Sequence, residues 1–474
     1  MLPALDRLDP ADAWRAWAPT PADPWGRKWA AHLYRRAGFG PSRYDLLDAE
    51  KLGLAGTLDL LMRGRPEAAD VLPTLLDIGR VNAVEKDDPD RLRAWWVYCV
   101  LHGGHPLREK MTLFWHNHFA TSVAKVKKAD LMFRQNCLLR EHALGKFGPF
   151  LQAVSRDPAM LVYLDSNSNV AGRPNENYAR EVMELFSLGV GNYTEKDIRE
   201  AARAFTGHHT DGTTFVFKRE LFDVGPKTVL GATGTWEGRD VVAILLRQPA
   251  CAKFLVGKLY AYLVSETPPP AALLEPLCDR FRKSDYDIAD LVRTVLASRL
   301  FYSEHAFRKR VKSPAEYVLG AVLAVYQRYP EDDPHYRPVP PAAVAKPMTA
   351  MGQALFAPPN VKGWPGGRAW LNTSTVLERD NFAAALATGA LWALGDDLPT
   401  ALDPARLLHE EAITRPADAA KAMLDLYVPG GVRPKAAAKL TAFVADGAPS
   451  GPDLARRVRE AVHVVLTMPE YQLA

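Results

Sequence analysis

The residues best placed to do chemistry in this chain lie between Arg173 and Gly207, in the stretch RPNENYAREVMELFSLGVGNYTEKDIREAARAFTG. Asn177, Arg180, Glu181 and Glu184 recur there at spacings of three and four, so on a helix they share one face. The remaining positions, Tyr178, Val182, Met183, Leu185, Phe186 and Val190, are apolar over more than one side, which predicts a largely buried helix. Ionised groups in such a helix must pair, bind a metal or line a wet cavity. Two readings follow. In one, Glu181 and Glu184 are acid/base groups or hard metal ligands, with Arg180 and Asn177 beside them. In the other, Arg180 and Glu184 form an internal i,i+4 ion pair that ties helices together.

A second concentration is GQALFAPPNVKGWPGGRAWLN at 352–372. Lys362 and Arg368 flank the turn that holds Trp364. A glycine turn lets backbone N–H groups converge on an anion, and two adjacent cations favour that. Neither a Walker A spacing nor a dinucleotide fingerprint is present, and a rigid structural loop is the alternative. Lys227, in GPKTVLG, is a further cation for an anionic substrate. His116 and His118, in FWHNHF, stand two apart. On a helix that separates them by about 200°, whereas helical metal pairs prefer i,i+4. Each is read as a metal ligand, a proton carrier or a hydrogen-bonded core histidine, and a divalent metal stays open.

The elements that must position these groups are mostly helices. Thr194 with Asp197 three residues on predicts a capping box for a helix that Gly207 stops; Gly189 and Gly191 end the helix before it. TTFVFKRELFDVGPKTVLG alternates as strands do and predicts a β-hairpin at 212–230. The reading is a mainly α chain: a large multi-helix body with that small insertion. An arm at 1–24 is pinned by Trp14, Trp17 and Trp25. A helical core follows at 25–328, then a Pro-rich connection at 329–346 and a C-terminal helical part at 347–474 packing on the core.

Bulk properties exclude several classes. The 474 residues are 48% hydrophobic with a net charge of +4, so a large core is available and the basic excess is too small to imply nucleic acid. Two helices joined by a glycine turn suggest DNA reading, but Glu195, Asp197 and Glu200 balance Lys196, Arg199 and Arg203, a poor face for phosphates. Cys99, Cys137, Cys251 and Cys278 form no CxxC pair, which argues against structural zinc or a disulfide framework. No apolar run approaches the roughly 20 residues of a membrane span. The N-terminus lacks the basic start and apolar run of a signal peptide, so the expected compartment is the cytoplasm.

Several stretches together resemble the bacterial "domain of unknown function 1800" family: HLYRRAGFGPS at 32–42, FWHNHFATS at 114–122, DPAMLVYLD at 157–165, NENYAREVMELFSLGVGNYTEKDIREAARAFTG at 175–207, GPKTVLGATGTWEG at 225–238 and PPNVKGWPGGRAWL at 358–371. The resemblance spans nearly the whole chain and implies a mostly helical protein without supplying a reaction. It also implies an alkaline-phosphatase/sulfatase-like neighbour of the "domain of unknown function 1501" family as a partner. Relatives are often exported, and they often carry His-Asp where this chain has Phe222-Asp223. The expectation is an enzyme, a hydrolase or transferase acting on an anionic or carbohydrate substrate. Its site gathers the NENYARE helix, the histidines and the Gly-Trp-Pro loop. The alternative is a non-catalytic helical scaffold that binds a partner.

Overall fold

A computed structural model describes residues 4–325, 339–390 and 405–474. Ten helices carry the argument: α1 (Arg27–Ala37), α2 (Arg43–Arg63), α3 (Pro106–His118), α4 (Ala129–His142), α5 (Asn177–Glu184), α6 (Glu195–Ala204), α7 (Pro249–Leu263), α8 (Pro314–Val325), α9 (Thr373–Thr388) and α10 (Gly451–Thr467). The fold is mainly α, as the sequence reading requires.

The spine is α3. Pro106 starts it, and the His105 ring caps it by accepting from the Arg108 N–H at 3.3 Å. Ten of its thirteen residues are buried, so it runs through the interior rather than across a surface. Met111, Phe114 and Trp115 face one apolar core, built from residues between Ala13 and Ala306. Leu113 faces a second, in which Leu92 to Met132 meets α8 and the C-terminal helices α9 and α10. Burial of each large apolar side chain stabilises by roughly 1.5–3 kcal/mol, so α3 welds the two cores together. The C-terminal helices pack on residues from the N-terminal third.

Three tryptophans hold the N-terminal segment to the body. Trp14 Nε1 donates to the Leu273 carbonyl at 2.6 Å and Trp25 Nε1 to the Ala49 carbonyl at 2.9 Å. Trp17 stacks on Tyr302. The 329–346 connection lies outside the described residues up to 338. From Pro341 the chain is helical, as Pro341–Ala350, with proline at the first turn where its missing N–H does no harm.

The insertion near 212–230 differs in detail from the expected hairpin. There are two antiparallel hairpins, β1 (His208–Thr210) with β2 (Phe215–Phe217), and β3 (Lys227–Val229) with β4 (Ala232–Gly234). Asp211 turns the first by accepting from the Thr213 and Thr214 N–H groups. Leu230 and Gly231, both at positive φ, turn the second. Between them, Asp223 is gripped by Arg203 of α6 at 2.7 Å, which takes that segment out of strand pairing. Alternation of side chains could not reveal that pull, because it comes from a residue twenty positions away.

Candidate functional site

The stripe on α5 forms as a face but not as an internal pair. The helix is shorter than expected, ending at Glu184 rather than near Val190. Arg180 does not bond Glu184. It donates to both oxygens of Glu195 on α6 at 2.8 Å and to Glu176 at 3.1 Å, at the protein surface. The expected Arg180–Glu184 pair is corrected accordingly: the turn that follows α5 brings α6 alongside, and the two-toothed fit to Glu195 is the better one. Glu184 accepts from the Tyr193 hydroxyl at 2.6 Å. Asn177 is exposed, with its N–H donating to Asn175 at 2.8 Å. The capping box of Thr194 and Asp197 closes in both directions, as predicted.

Glu181 is the exception. It is half-buried and has no hydrogen bond or ion pair among the described residues. Burial, and then the charge of Glu184, pushes its pKa up, while Arg180 and Lys362 pull against that shift. Lys362 belongs to the Gly-Trp-Pro loop, so the loop reaches α5. Lys362 and Arg368 are both exposed, and neither forms an ion pair among the described residues.

The loop is clamped from below by α3. Asn117 Oδ1 accepts from the Trp364 N–H at 2.6 Å, and its Nδ2 donates to the Trp364 carbonyl at 3.4 Å. Gly363 is compulsory there: at φ +78, any Cβ would stand 2.2 Å from Asn117 Oδ1. Trp364 packs with Val311 and Trp370, leaving 5% of its surface exposed, so it anchors the loop and offers no stacking platform.

The two histidines face opposite ways, as their spacing requires. His116 lies against Trp96, Phe356 and Trp364 and accepts from the Phe356 N–H at 3.1 Å. Burial pulls its pKa down to about 3. His118 lies against Phe114, Phe186 and Phe254 and donates to the Phe186 carbonyl at 3.0 Å. Its pKa also falls well below the usual value, from burial first and then the nearby charge of Lys258. The structure does not bring the pair together for a shared metal. Among the described residues no group of three or more His, Cys, Asp and Glu side chains is arranged to hold one. Lys227 is likewise closed off: its ammonium donates to the carbonyls of Asp223 and Gly225, and it is 1% exposed.

Sequence reasoning missed a buried ionic centre behind the same loop. Lys110 of α3 and Arg310 both bond Glu316 of α8, Arg310 at 3.0 Å, and the Ser313 N–H adds a bond at 2.8 Å. All three charged side chains are almost fully buried. Burial alone would raise Glu316, but Arg310 and Lys110 outweigh it and hold the carboxyl well below its usual range. Burial lowers Lys110 to about 8, with Glu316 resisting. Glu266, whose carboxylate accepts from the Val311 N–H at 3.1 Å, links this centre to the loop, since a Cβ on Gly367 would come 3.2 Å from it. The signal available was RKRVKSPAE at 308–316, too basic to precede a wholly apolar helix without a buried partner. Lys258, half-buried with no ion pair among the described residues, was missed too; burial brings it to about 8. It lies within a regular helical pattern that gives no hint of this.

The arrangement therefore offers a carboxylate of raised pKa, Glu181, with no partner among the described residues, and two cations, Lys362 and Arg368, that form no ion pair among them either. Such a group can hold or deliver a proton near an anionic ligand. Among the described residues no helix is long and apolar enough to cross a membrane. A family model described as "Protein of unknown function (DUF1800)" matches residues 32–473. No curated protein and no solved structure matches the chain.

Proposed function

The chain belongs to the DUF1800 family, whose description assigns no activity, and from that premise we propose that it is a hydrolase or transferase acting on an anionic substrate. Glu181 is its acid/base group, and Lys362 and Arg368 hold the substrate's charge. The observation that carries this reading is the state of Glu181. It is half-buried and unpaired among the described residues, its pKa is raised by burial and Glu184, and the charge of Lys362 reaches it. A carboxyl tuned upward beside a cation is what general acid–base chemistry needs near neutral pH. Relative to the sequence expectation, the histidines move from proton carriers to packing roles, and Glu184 becomes the neighbour that raises Glu181.

The test is turnover of phosphate esters, sulfate esters and glycosides by native protein and by Glu181→Gln. Loss of about 10²-fold or more in kcat with an unchanged melting temperature supports the role; Lys362→Gln should mainly raise KM. Equal turnover in Glu181→Gln and native protein sinks it.

A non-catalytic scaffold is the second reading. It is favoured by the pairing of Arg180 with Glu195, by the Tyr193 hydroxyl on Glu184 and by the closure of both histidines. Under it, native protein turns over none of these substrates, yet captures an alkaline-phosphatase/sulfatase-like protein of the "domain of unknown function 1501" family. Arg180→Glu, on the exposed face of α5, then weakens that capture.

A further inference from the structure

A groove of about 480 Å³ lies on another part of the surface, between the second half of α2, the turn after it and the start of α3. That volume suits a small molecule. Leu52, Leu60 and Pro66 supply its apolar wall, and Leu52 is 48% exposed although it is a large aliphatic residue. Its polar groups are Asp59, Arg63, Arg65, Arg108 and His105. Two of these are already satisfied from outside: Asp59 bonds Arg293, and Arg65 bonds Asp45 at 2.8 Å.

The others point to an anion. Arg108 is half-buried, and its Nε is closed to water with no hydrogen-bond partner among the described residues. The nearest carboxylate in sequence, Glu109, is felt by Arg108 as a charge but forms no ion pair with it: its oxygens are held by Arg140 at 2.7 and 3.0 Å and by Trp96 at 3.0 Å. Arg63 is exposed, has no ion pair among the described residues, and lies close enough to Asp59 for its charge to be felt there. His105 accepts the Arg108 N–H on Nδ1, so its proton sits on Nε2, which is a donor. The ring packs closely against Gly64, where a Cβ would stand 2.8 Å from it. Two guanidinium groups that form no ion pair among the described residues, one of them partly desolvated, line the same groove as an apolar wall, and together they match a ligand with an anionic head and an apolar body.

We propose that this groove binds a single-chain anionic amphiphile, with its anionic head on Arg108, Arg63 and the His105 ring and its chain along Leu52, Leu60 and Pro66. The site is separate from Glu181 and stands whether or not the chain is an enzyme.

Calorimetric titration of the full chain with octyl phosphate, below its aggregation concentration, tests it. The expected result is saturable binding of one molecule per chain, at least tenfold tighter than inorganic phosphate, with no binding of the neutral octyl glucoside. Arg63→Gln and Arg108→Gln should each weaken octyl phosphate at least tenfold, and Leu52→Asp should abolish it. Arg63 and Leu52 are exposed, so those two variants keep the test open should Arg108→Gln fail to fold. Absence of saturable binding overturns the proposal. So does equal affinity in Arg63→Gln, Leu52→Asp and native protein. Inorganic phosphate binding as tightly as octyl phosphate removes the amphiphile and overturns it as well.

Discussion

Glu316 and Glu195 are each bonded by an arginine, yet the two pairs have little else in common. Glu316 sits in the interior between Arg310 and Lys110, in contact with a backbone N–H and almost closed to solvent. Glu195 meets Arg180 at the surface, where its side chain is 63% exposed. The surface assembly belongs to the stretch with the densest functional pattern in the sequence. The interior assembly is spread over residues 110, 310 and 316, and no local pattern marks it. Charge pairing at the surface is screened by water and salt. In the interior the same contact must offset the desolvation of every ion in it, so removing one member strands the rest. The comparison teaches that a polar stripe on a helix and a polar centre in a core are different objects. The first leaves residues free for ligands, as with Glu181. The second fixes how α3, α8 and the Gly-Trp-Pro loop sit together.

The largest effect expected from this contrast is at Glu316. Glu316→Ala leaves Lys110 and Arg310 buried without a counter-charge, and should destabilise the fold by about 3–5 kcal/mol. Urea denaturation measures it. A loss as small as that of a surface pair would show that the centre is hydrated and would erase the distinction.

Asp157 separates burial from pairing. It is about as buried as Glu316 but forms no ion pair among the described residues: Gln135 and the Met160 N–H satisfy it, at 2.6 and 2.9 Å. Burial raises its pKa to about 6. A carboxyl raised in the folded state binds its proton more tightly there than in the unfolded chain. Its stabilising contribution is therefore complete below about pH 4 and disappears as pH rises toward 6, on the order of 2–3 kcal/mol in all. Glu316, held low, behaves oppositely and loses stability only in strong acid. The buried histidines, held below their usual value, make stability rise with pH over the same window, and Asp157 subtracts from that rise. In Asp157→Asn the rise from pH 4 to 7 should therefore be larger than in native protein by about that amount. An unchanged slope would mean that the hydrogen bonds, rather than burial, set the ionisation of Asp157.

How much was legible beforehand follows the same division. Capping, helix endings and the apolar faces of α5 and α6 are local, so Thr194, Asp197 and Gly207 announced them in the sequence. The opposed histidines followed from helical geometry alone. The hidden features were those set by contacts far apart in the chain: the grip of Arg203 on Asp223 that splits the expected hairpin, the Asn117 clamp on Trp364, and the Lys110–Glu316–Arg310 centre. Arg180 was misread for a related reason. Its i,i+4 partner Glu184 was visible, whereas Glu195 becomes a neighbour only once the turn at Gly189 and Gly191 is made.

Arg180→Ala should therefore have the smallest effect of the three. It removes bonds to Glu195 and Glu176 at the surface, and the freed carboxylates return to water rather than remaining buried. The expected loss is under about 1 kcal/mol and should shrink further as salt is raised from low to molar concentration. The same substitution sharpens the reading of Glu181. Arg180 is one of the two cations that hold the Glu181 pKa down, against burial and Glu184. Without it, Glu181 should titrate at higher pH, and the acid limb of any pH–rate profile assigned to Glu181 should move upward with it. A profile that stays in place while stability is unchanged would detach Arg180 from the site altogether and leave Lys362 as the cation that matters.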